Sequence, residues 1–254
     1  MASTGKPDSS AVKAFDVLQF IALEKAKLST SQTLTVSKLE TDLISSSDLP
    51  DQIKANEALA AFWKDSAKSF EPYAFYISEG SKLDNSEKNL TFAARIFLDN
   101  LRAEKDLSKL NWETTKAIDL YERALKLNPE NDDIKIGLGS CYIYGKGRSG
   151  DPQETMQGIQ QLLSVVRKDS NNLKAQMMLG VGGLVSGQFD KSIERLNKVV
   201  TQQPQNGEAI AYLADAYAGK GDKANAVKWY NISKRLINNP HYAEEVDARI
   251  KSLK

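Results

Sequence analysis

A 34-residue period in the C-terminal half constrains the fold of this chain more than any other feature. Gly180, Ser192 and Leu196 have counterparts 34 residues later at Ala214, Ala226 and Tyr230. Small and large apolar residues therefore recur in phase, as they do in repeated pairs of closely packed helices. Stacked pairs bury their apolar faces against their neighbours. The period predicts an all-α fold built from antiparallel helix pairs.

The same pattern extends over five repeats, two of which carry insertions. The repeats begin at Lys54, Lys88, Asp132, Leu173 and Gly207, and a partial sixth begins at His241. The first four steps are 34, 44, 41 and 34 residues, which places insertions of 10 and 7 residues near 104–111 and 146–152. The eighth position, where two helices meet and a small residue is needed, holds Ala61, Arg95, Gly139, Gly180 and Ala214. Arg95 does not fit, and Ala94 indicates a register one residue earlier in that repeat.

These observations divide the chain into four kinds of segment. Residues 1–8 are predicted to be a flexible leader. Residues 9–48 are predicted to be a helical extension, with a helix from Ser10 to Leu28 and a shorter one through Val36 and Leu43. The repeats are predicted at 54–87, 88–131, 132–172, 173–206 and 207–240, and a capping helix at 241–254.

Turn residues support the same register. Gly187 and Gly221 lie 34 residues apart and are expected to make the tight turns between the helices of the last two full repeats. Asp190 and Asp222 follow them and are predicted to be the N-caps of the second helices. Both features place helix boundaries where the 34-residue period requires them.

Composition excludes several classes of function. The chain has 254 residues, 34 basic and 33 acidic, and a formal net charge of +1. No basic field attracts a phosphate backbone, so nucleic acid is not an expected partner. No run of about 18 apolar residues is present, so no membrane span is predicted in this chain. The single cysteine, Cys141, does not indicate a compartment, and localisation stays open.

Residues suited to catalysis or metal binding are scarce. His241 is the only histidine and has no second histidine or cysteine at metal-ligand spacing. The glycines at 180, 182 and 183 fall inside a predicted helix, and Gly145-Lys146-Gly147 lacks the serine or threonine of a phosphate loop. We therefore expect no enzyme activity, no cofactor and no metal.

The repeated positions resemble the tetratricopeptide repeat family, over residues 54–254. Residues 116–131 (KAIDLYERALKLNPEN) and 189–206 (FDKSIERLNKVVTQQPQN) are especially similar to the second helices of that family. The chain also resembles bacterial members of the family. The resemblance implies a right-handed α-solenoid of about five helix pairs, whose concave groove binds peptides or partner domains.

In this family the first helix of each pair lines the groove through its second, fifth, ninth and twelfth positions. The candidate groove residues in this chain are Phe62, Phe92, Ile96, Ile136, Ser140, Ile143, Met177, Val181, Leu184, Ala211 and Asp215. The residues near Phe92 shift by one if Ala94 sets the register. None of these is a lysine, asparagine or arginine residue of the kind that captures the carboxylate end of chaperone tails, so that function is disfavoured.

Two functions follow from this apolar set. The first is a non-catalytic scaffold that binds an apolar or amphipathic segment of a partner protein in the groove. The second is a self-assembling protein, such as a homodimer, whose N-terminal helix fills its own or a neighbour's groove. A further interpretation is that the first helices are simply buried on both sides. An exposed apolar strip, by contrast, requires an apolar occupant.

Overall fold

The computed structural model describes residues 14–147 and 152–253, and all regular structure in these ranges is helical. The helices are α1 (Val17–Lys25), α2 (Thr30–Ser45), α3 (Leu49–Ala61), α4 (Phe70–Asp84), α5 (Glu87–Leu101), α6 (Leu107–Leu127), α7 (Asp132–Cys141), α8 (Pro152–Lys168), α9 (Leu173–Val185), α10 (Phe189–Gln202), α11 (Gly207–Lys220), α12 (Lys223–Ile237) and α13 (Pro240–Leu253). Short π-helical turns, Phe62–Ser66 and Tyr142–Lys146, continue α3 and α7. The all-α prediction is confirmed. Among the described helices, none is long and apolar enough to cross a membrane.

The chain forms two compact units, Met1–Ile134 and Lys135–Lys254. In the N-terminal unit α3 packs along α4 and α5 along α6, and α4 also packs against α5. In the C-terminal unit α9 pairs with α10 and α11 with α12, while α10 packs against α11. Helix α8 packs against α9, and α13 against α12. Within each unit the helices thus contact their neighbours in sequence, which is the packing of an α-solenoid.

Small residues let the first and second helices of a pair approach closely. A Cβ atom added to Gly180 of α9 would lie 2.6 Å from Leu196 Cγ of α10. The Ser192 hydroxyl donates a hydrogen bond of 2.7 Å to the Gly180 carbonyl oxygen, which joins the same two helices. In the preceding pair, a Cβ on Gly139 would lie 2.7 Å from Leu162 Cγ. These contacts join the eighth position of a repeat to its second helix, as the period predicts.

In the first two repeats, the small residue at the helix contact lies one position earlier than the count from the repeat start predicts. In α5 Ala94 is fully buried and Arg95 is exposed, so the earlier register is confirmed. In α3 Ala60 is buried, whereas Ala61 is exposed, so the expectation for Ala61 is wrong. The reason is that a helix turns by about 100° per residue, so a shift of one position moves a side chain from the core to the surface.

Three of the four turn predictions are confirmed. Gly187 and Gly221 have φ angles of +70° and +84°, the left-handed region that glycine adopts without strain. Asp222 caps α12 by accepting a hydrogen bond of 3.1 Å from the Asn225 amide. Asp190 is not an N-cap, because α10 already begins at Phe189. Its carboxylate lies 2.6 Å from the Lys220 ammonium group instead.

The N-terminal extension is helical but divided differently from the prediction. Helix α1 has nine residues and α2 has sixteen, so the expectation of a shorter second helix is wrong. Ser29 explains the early start of α2: it forms a capping box with Gln32, which satisfies the free amides of the first turn. The predicted leader at 1–8 and the start of the Ser10–Leu28 helix lie outside the described residues.

The two insertions also have distinct outcomes. Asp106 caps α6 at Leu107, so part of the predicted 104–111 insertion lengthens this helix to 21 residues. Residues 148–151 of the second insertion lie outside the described ranges, and α8 starts at Pro152. The exact boundaries of the five repeats stay a prediction.

Gly180→Leu is expected to lower the free energy of unfolding by about 1–3 kcal/mol, because the new side chain overlaps Leu196. The higher helix propensity of leucine, under about 1 kcal/mol, offsets only part of this loss. Urea denaturation measures the change. The matched control is Ala224→Leu at an exposed position of α12. An unchanged or raised midpoint for Gly180→Leu would contradict the packing described for α9 and α10.

Candidate partner-binding surface

In the C-terminal unit, most of the predicted groove residues on α7 and its π-helical turn are core residues. Ile136 and Ile143 are buried in one cluster together with Leu162 and Val165 of α8. Ser140 is buried too, and its hydroxyl donates a hydrogen bond of 2.7 Å to the Ile136 carbonyl oxygen. An exposed apolar strip is therefore not present here. The side chains of α8 and α9 cover this face, which the sequence position alone does not reveal.

Helix α9 keeps part of its predicted groove face accessible. Val181 is buried in the same cluster as Ile143. Met177 and Leu184 are half-buried and pack at the edge of the next cluster, which contains Leu196 and Leu213. Ala211 of α11 is also half-buried. In this unit, Met177 and Leu184 are therefore the large apolar groove candidates that retain contact with solvent.

Asp215, another groove candidate, holds the last helix in place. Its Oδ1 atom accepts a hydrogen bond of 2.5 Å from the Tyr230 hydroxyl and one of 2.6 Å from the Arg249 guanidinium group. Burial, helped by the bond to Asp215, raises the pKa of the Tyr230 hydroxyl. This network joins α11, α12 and α13. Asp215 therefore stabilises the capping helix. A partner segment that bound Asp215 would have to break these hydrogen bonds.

In the N-terminal unit the three groove candidates have three different environments. Phe62 is buried in a cluster with Val36 of α2 and Trp63. Ile96 is half-buried on α5. Phe92 is 53% exposed, which is unusual for a phenylalanine in the middle of a helix. In the corrected register, Lys88 and Arg95 occupy the second and ninth positions of the same helix, whereas Phe92 and Ile96 move to the sixth and tenth, one position beyond the groove positions.

Helix α1 packs against second helices of the N-terminal unit. It contacts α4, and Ile21 is buried in the cluster that contains Tyr76. The Lys109 ammonium group of α6 lies 4.6 Å from the centre of the Phe20 ring. The Phe15 and Trp112 rings are 5.2 Å apart. This placement does not support the form of the alternative hypothesis in which α1 fills the groove of its own chain.

Glu113 is a buried carboxyl group that the sequence analysis overlooked. It is fully buried in α6, where Oε1 accepts a hydrogen bond of 2.9 Å from the Asn100 side chain. Its Oε2 atom has no hydrogen-bond partner among the described residues. Burial is the main cause that raises the pKa of Glu113 to about 8, and the nearby charges of Glu104 and Glu71 add to it. A glutamate on the apolar face of α6, between Leu110 and Ala117, was the signal in the sequence.

Neither Glu113 nor Cys141 forms part of a catalytic cleft. Both side chains are closed off from solvent, and burial also raises the pKa of the Cys141 thiol. The nearest buried acid, Glu71, forms an ion pair with Lys109. In the ranges that the structure describes, no group of three or more His, Cys, Asp or Glu residues is arranged to hold a metal ion.

The unfolding free energy is expected to fall with rising pH because of Glu113. The folded carboxyl has a pKa of about 8 and the ordinary value is 4.5, so the folded chain binds more protons between these values. The contribution of this carboxyl to the free energy of unfolding is fully present below about pH 4.5. It is lost as pH rises to about 8, by up to about 1.4 kcal/mol per pH unit.

Denaturation of the native chain and of Glu113→Gln from pH 5 to about 8 tests this prediction. The glutamine side chain keeps the shape and has no charge to lose, so the native chain should lose more stability than the variant across this window. Glu122→Gln at an exposed position of α6 is the matched control. Parallel curves for the native chain and Glu113→Gln would contradict the raised pKa.

Comparisons with known proteins agree with this architecture. A family model described as "Tetratricopeptide repeat" matches residues 177–240. "BBSome complex member BBS4" of Bos taurus is 29% identical over 159 residues, which are 59% of this chain and 29% of that protein. The chain therefore spans less than a third of the length of this relative.

Two solved structures share the fold. MamA (residues 41 to the end) from Desulfovibrio magneticus RS-1 superposes with a TM-score of 0.53 at 18% identity, over 75% of this chain and 98% of that one. YrrB, described as a TPR protein with an unusual peptide-binding site, superposes with a TM-score of 0.50 at 16% identity, over 79% of this chain and 92% of that one. Such low identities establish the fold alone. The family match itself is confined to residues 177–240, which resemble tetratricopeptide repeats within this all-α fold.

Proposed function

We propose that the chain is a non-catalytic scaffold that holds a segment of a partner protein against the first helices of its repeats. The main support is the set of apolar side chains that remain accessible at the predicted groove positions or one position from them. These are Phe92 in the N-terminal unit and Met177 and Leu184 in the C-terminal unit. A few well-packed residues near the centre of an interface, often aromatic ones, supply most of its binding energy. Relatives of the same fold, of which YrrB has a peptide-binding site, support the proposal.

The burial pattern favours an amphipathic partner segment over a wholly apolar one. Ile136, Ile143 and Val181 are already covered by the chain's own helices. Each unit therefore offers only one or two large apolar anchor points at these positions, and the exposed cations Lys88 and Arg95 flank Phe92 on α5. A segment with a few apolar side chains and an otherwise polar surface satisfies both parts of such a surface.

A self-assembling protein is the second candidate, and the exposed side chains of the extension favour it. Leu34 is 71% exposed and Ile44 is 86% exposed on α2. A neighbouring copy that covered these residues would bury apolar surface. Size-exclusion chromatography with light scattering discriminates the two functions. A stable dimer that Leu34→Ser with Ile44→Ser converts to a monomer would favour self-assembly, and a monomeric native chain would exclude it.

Two variants test the scaffold function: Phe92→Glu, and Met177→Glu combined with Leu184→Glu. Each places a charge where the partner's apolar side chain is expected, and desolvating an unpaired charge is costly. At least one variant should lose partner proteins that the native chain captures from extracts of its source cells, as measured by quantitative mass spectrometry. Leu127→Glu, at a leucine that is 49% exposed on α6, is the matched control.

Thermal melting of the same variants separates lost binding from lost folding. Phe92→Glu should melt close to the native chain, because substitutions of exposed residues typically cost about 0.5 kcal/mol or less. The double variant is expected to lose somewhat more stability, since both side chains are half-buried. If both variants fold and retain every partner of the native chain, the proposed binding surface is wrong.

A further inference from the structure

One face of α5 combines two cations with an exposed aromatic ring. Lys88, Phe92 and Arg95, called here the α5 stripe, are spaced four and three residues apart and therefore lie on the same side of the helix. All three line one surface depression of about 600 Å³.

The two cations of the stripe have no counter-ion among the residues that the structure describes. Lys88 and Arg95 are exposed, and neither forms an ion pair or a hydrogen bond with another described residue. Other lysines of this unit are paired: Lys25 lies 2.5 Å from Glu40, and Lys82 lies 3.0 Å from Glu79. The stripe is thus a place where positive charge is left available beside apolar surface.

The acidic residues nearby do not neutralise this charge by direct contact. Glu87 lines the same depression, but its carboxylate accepts hydrogen bonds of 3.1 and 2.7 Å from the Asn128 and Asn131 side chains. These bonds direct it towards the end of α6. Glu57 of α3 lies on the other side of Phe92, where both line a small cleft. The positive charges at the two ends of the stripe therefore remain unpaired.

We propose that the α5 stripe binds an acidic segment of a partner protein, with an apolar side chain on Phe92 and one carboxylate at each cation. This inference rests on the proposed scaffold function and adds the chemistry of the partner. Lys88 and Arg95 are seven residues apart, about 10 Å along the helix axis. An extended peptide covers that distance in about three residues. Because successive side chains of an extended peptide point to opposite faces, the expected motif is two acidic residues four positions apart, about 13 Å, with an apolar residue midway on the same face; the long Lys88 and Arg95 side chains cover the difference in length.

A protein segment fits this surface better than a nucleic acid. Nucleic acid binding draws its affinity from many phosphate contacts, and the stripe offers two cations on a chain whose net charge is +1. A protein segment with one carboxylate on each side of its apolar side chain needs only these two cations. Arginine suits such a contact well, because its guanidinium group can donate two parallel hydrogen bonds to one carboxylate.

Selection from a random dodecapeptide phage library against the full chain tests the proposal. Peptides with acidic residues around a leucine, phenylalanine or similar residue should be enriched. Binding of synthetic copies, measured by fluorescence anisotropy, should weaken about tenfold or more in Lys88→Glu with Arg95→Glu, and in Phe92→Ser. Affinity for the native chain should also fall as salt is added, since exposed charges are screened.

The control is Lys38→Glu with Lys126→Glu, which makes the same change of net charge at two exposed positions on α2 and α6. It should bind the selected peptides as the native chain does. Equal weakening in this control, enrichment of basic peptides, or full binding by the Phe92→Ser variant would overturn the proposal. A single-stranded thymidine oligonucleotide that binds as tightly, and is lost in the same variants, would overturn the choice of a protein partner.

The failure of this inference is distinguishable from failure of the scaffold function. If enriched peptides bind the stripe variants normally but not Met177→Glu with Leu184→Glu, the scaffold function stands and the stripe is not the site. If no peptide is enriched, the stripe proposal fails. The scaffold function fails as well only if Phe92→Glu and Met177→Glu with Leu184→Glu both retain every partner that the native chain captures.

Discussion

The structure depends on the close approach of the two helices of each repeat at a small residue. Where Gly180 meets Leu196, or Gly139 meets Leu162, even one added carbon would overlap the neighbouring helix. At this distance a large apolar residue on one helix fills the space beside the glycine of the other. The 34-residue period is the trace of this contact in the sequence. The helix pairs of each unit stack because each pair leaves an apolar face for the next.

The same packing determines which residues are available for binding. Apolar residues on the first helices serve the core first, as Ile143 and Val181 show. Polar groove candidates also stabilise the structure: Asp215 accepts hydrogen bonds from Tyr230 and Arg249. What remains for a partner is small and local in each unit. Phe92, with a cation on either side, is the clearest example, and its chemistry calls for a partner that is both acidic and apolar.

The fold could be predicted from the sequence to a greater extent than the site. Contacts such as Gly180 with Ser192 are local in the repeat and recur, so they leave a periodic signal. Burial of Ile136 depends on how far α7 is rotated and on which side chains of α8 and α9 reach it. A family position number does not contain that information. Asp190 shows the same limit on a smaller scale: α10 begins two residues earlier than an N-cap at Asp190 requires, and Asp190 forms a surface ion pair instead. Glu113 is a single polar residue on the apolar face of α6, and one such residue leaves no periodic signal in the sequence.

Thiol labelling tests most directly the claim that the core takes apolar residues of the first helices such as Val181 and leaves Phe92 accessible. Cys141 is buried and provides a slow internal reference. In Phe92→Cys, the new thiol should react rapidly with Ellman's reagent while Cys141 reacts slowly, because a buried thiol must wait for local opening. In Val181→Cys both thiols should react slowly. Rapid labelling of Val181→Cys, or labelling of Phe92→Cys as slow as that of Cys141, would contradict the account.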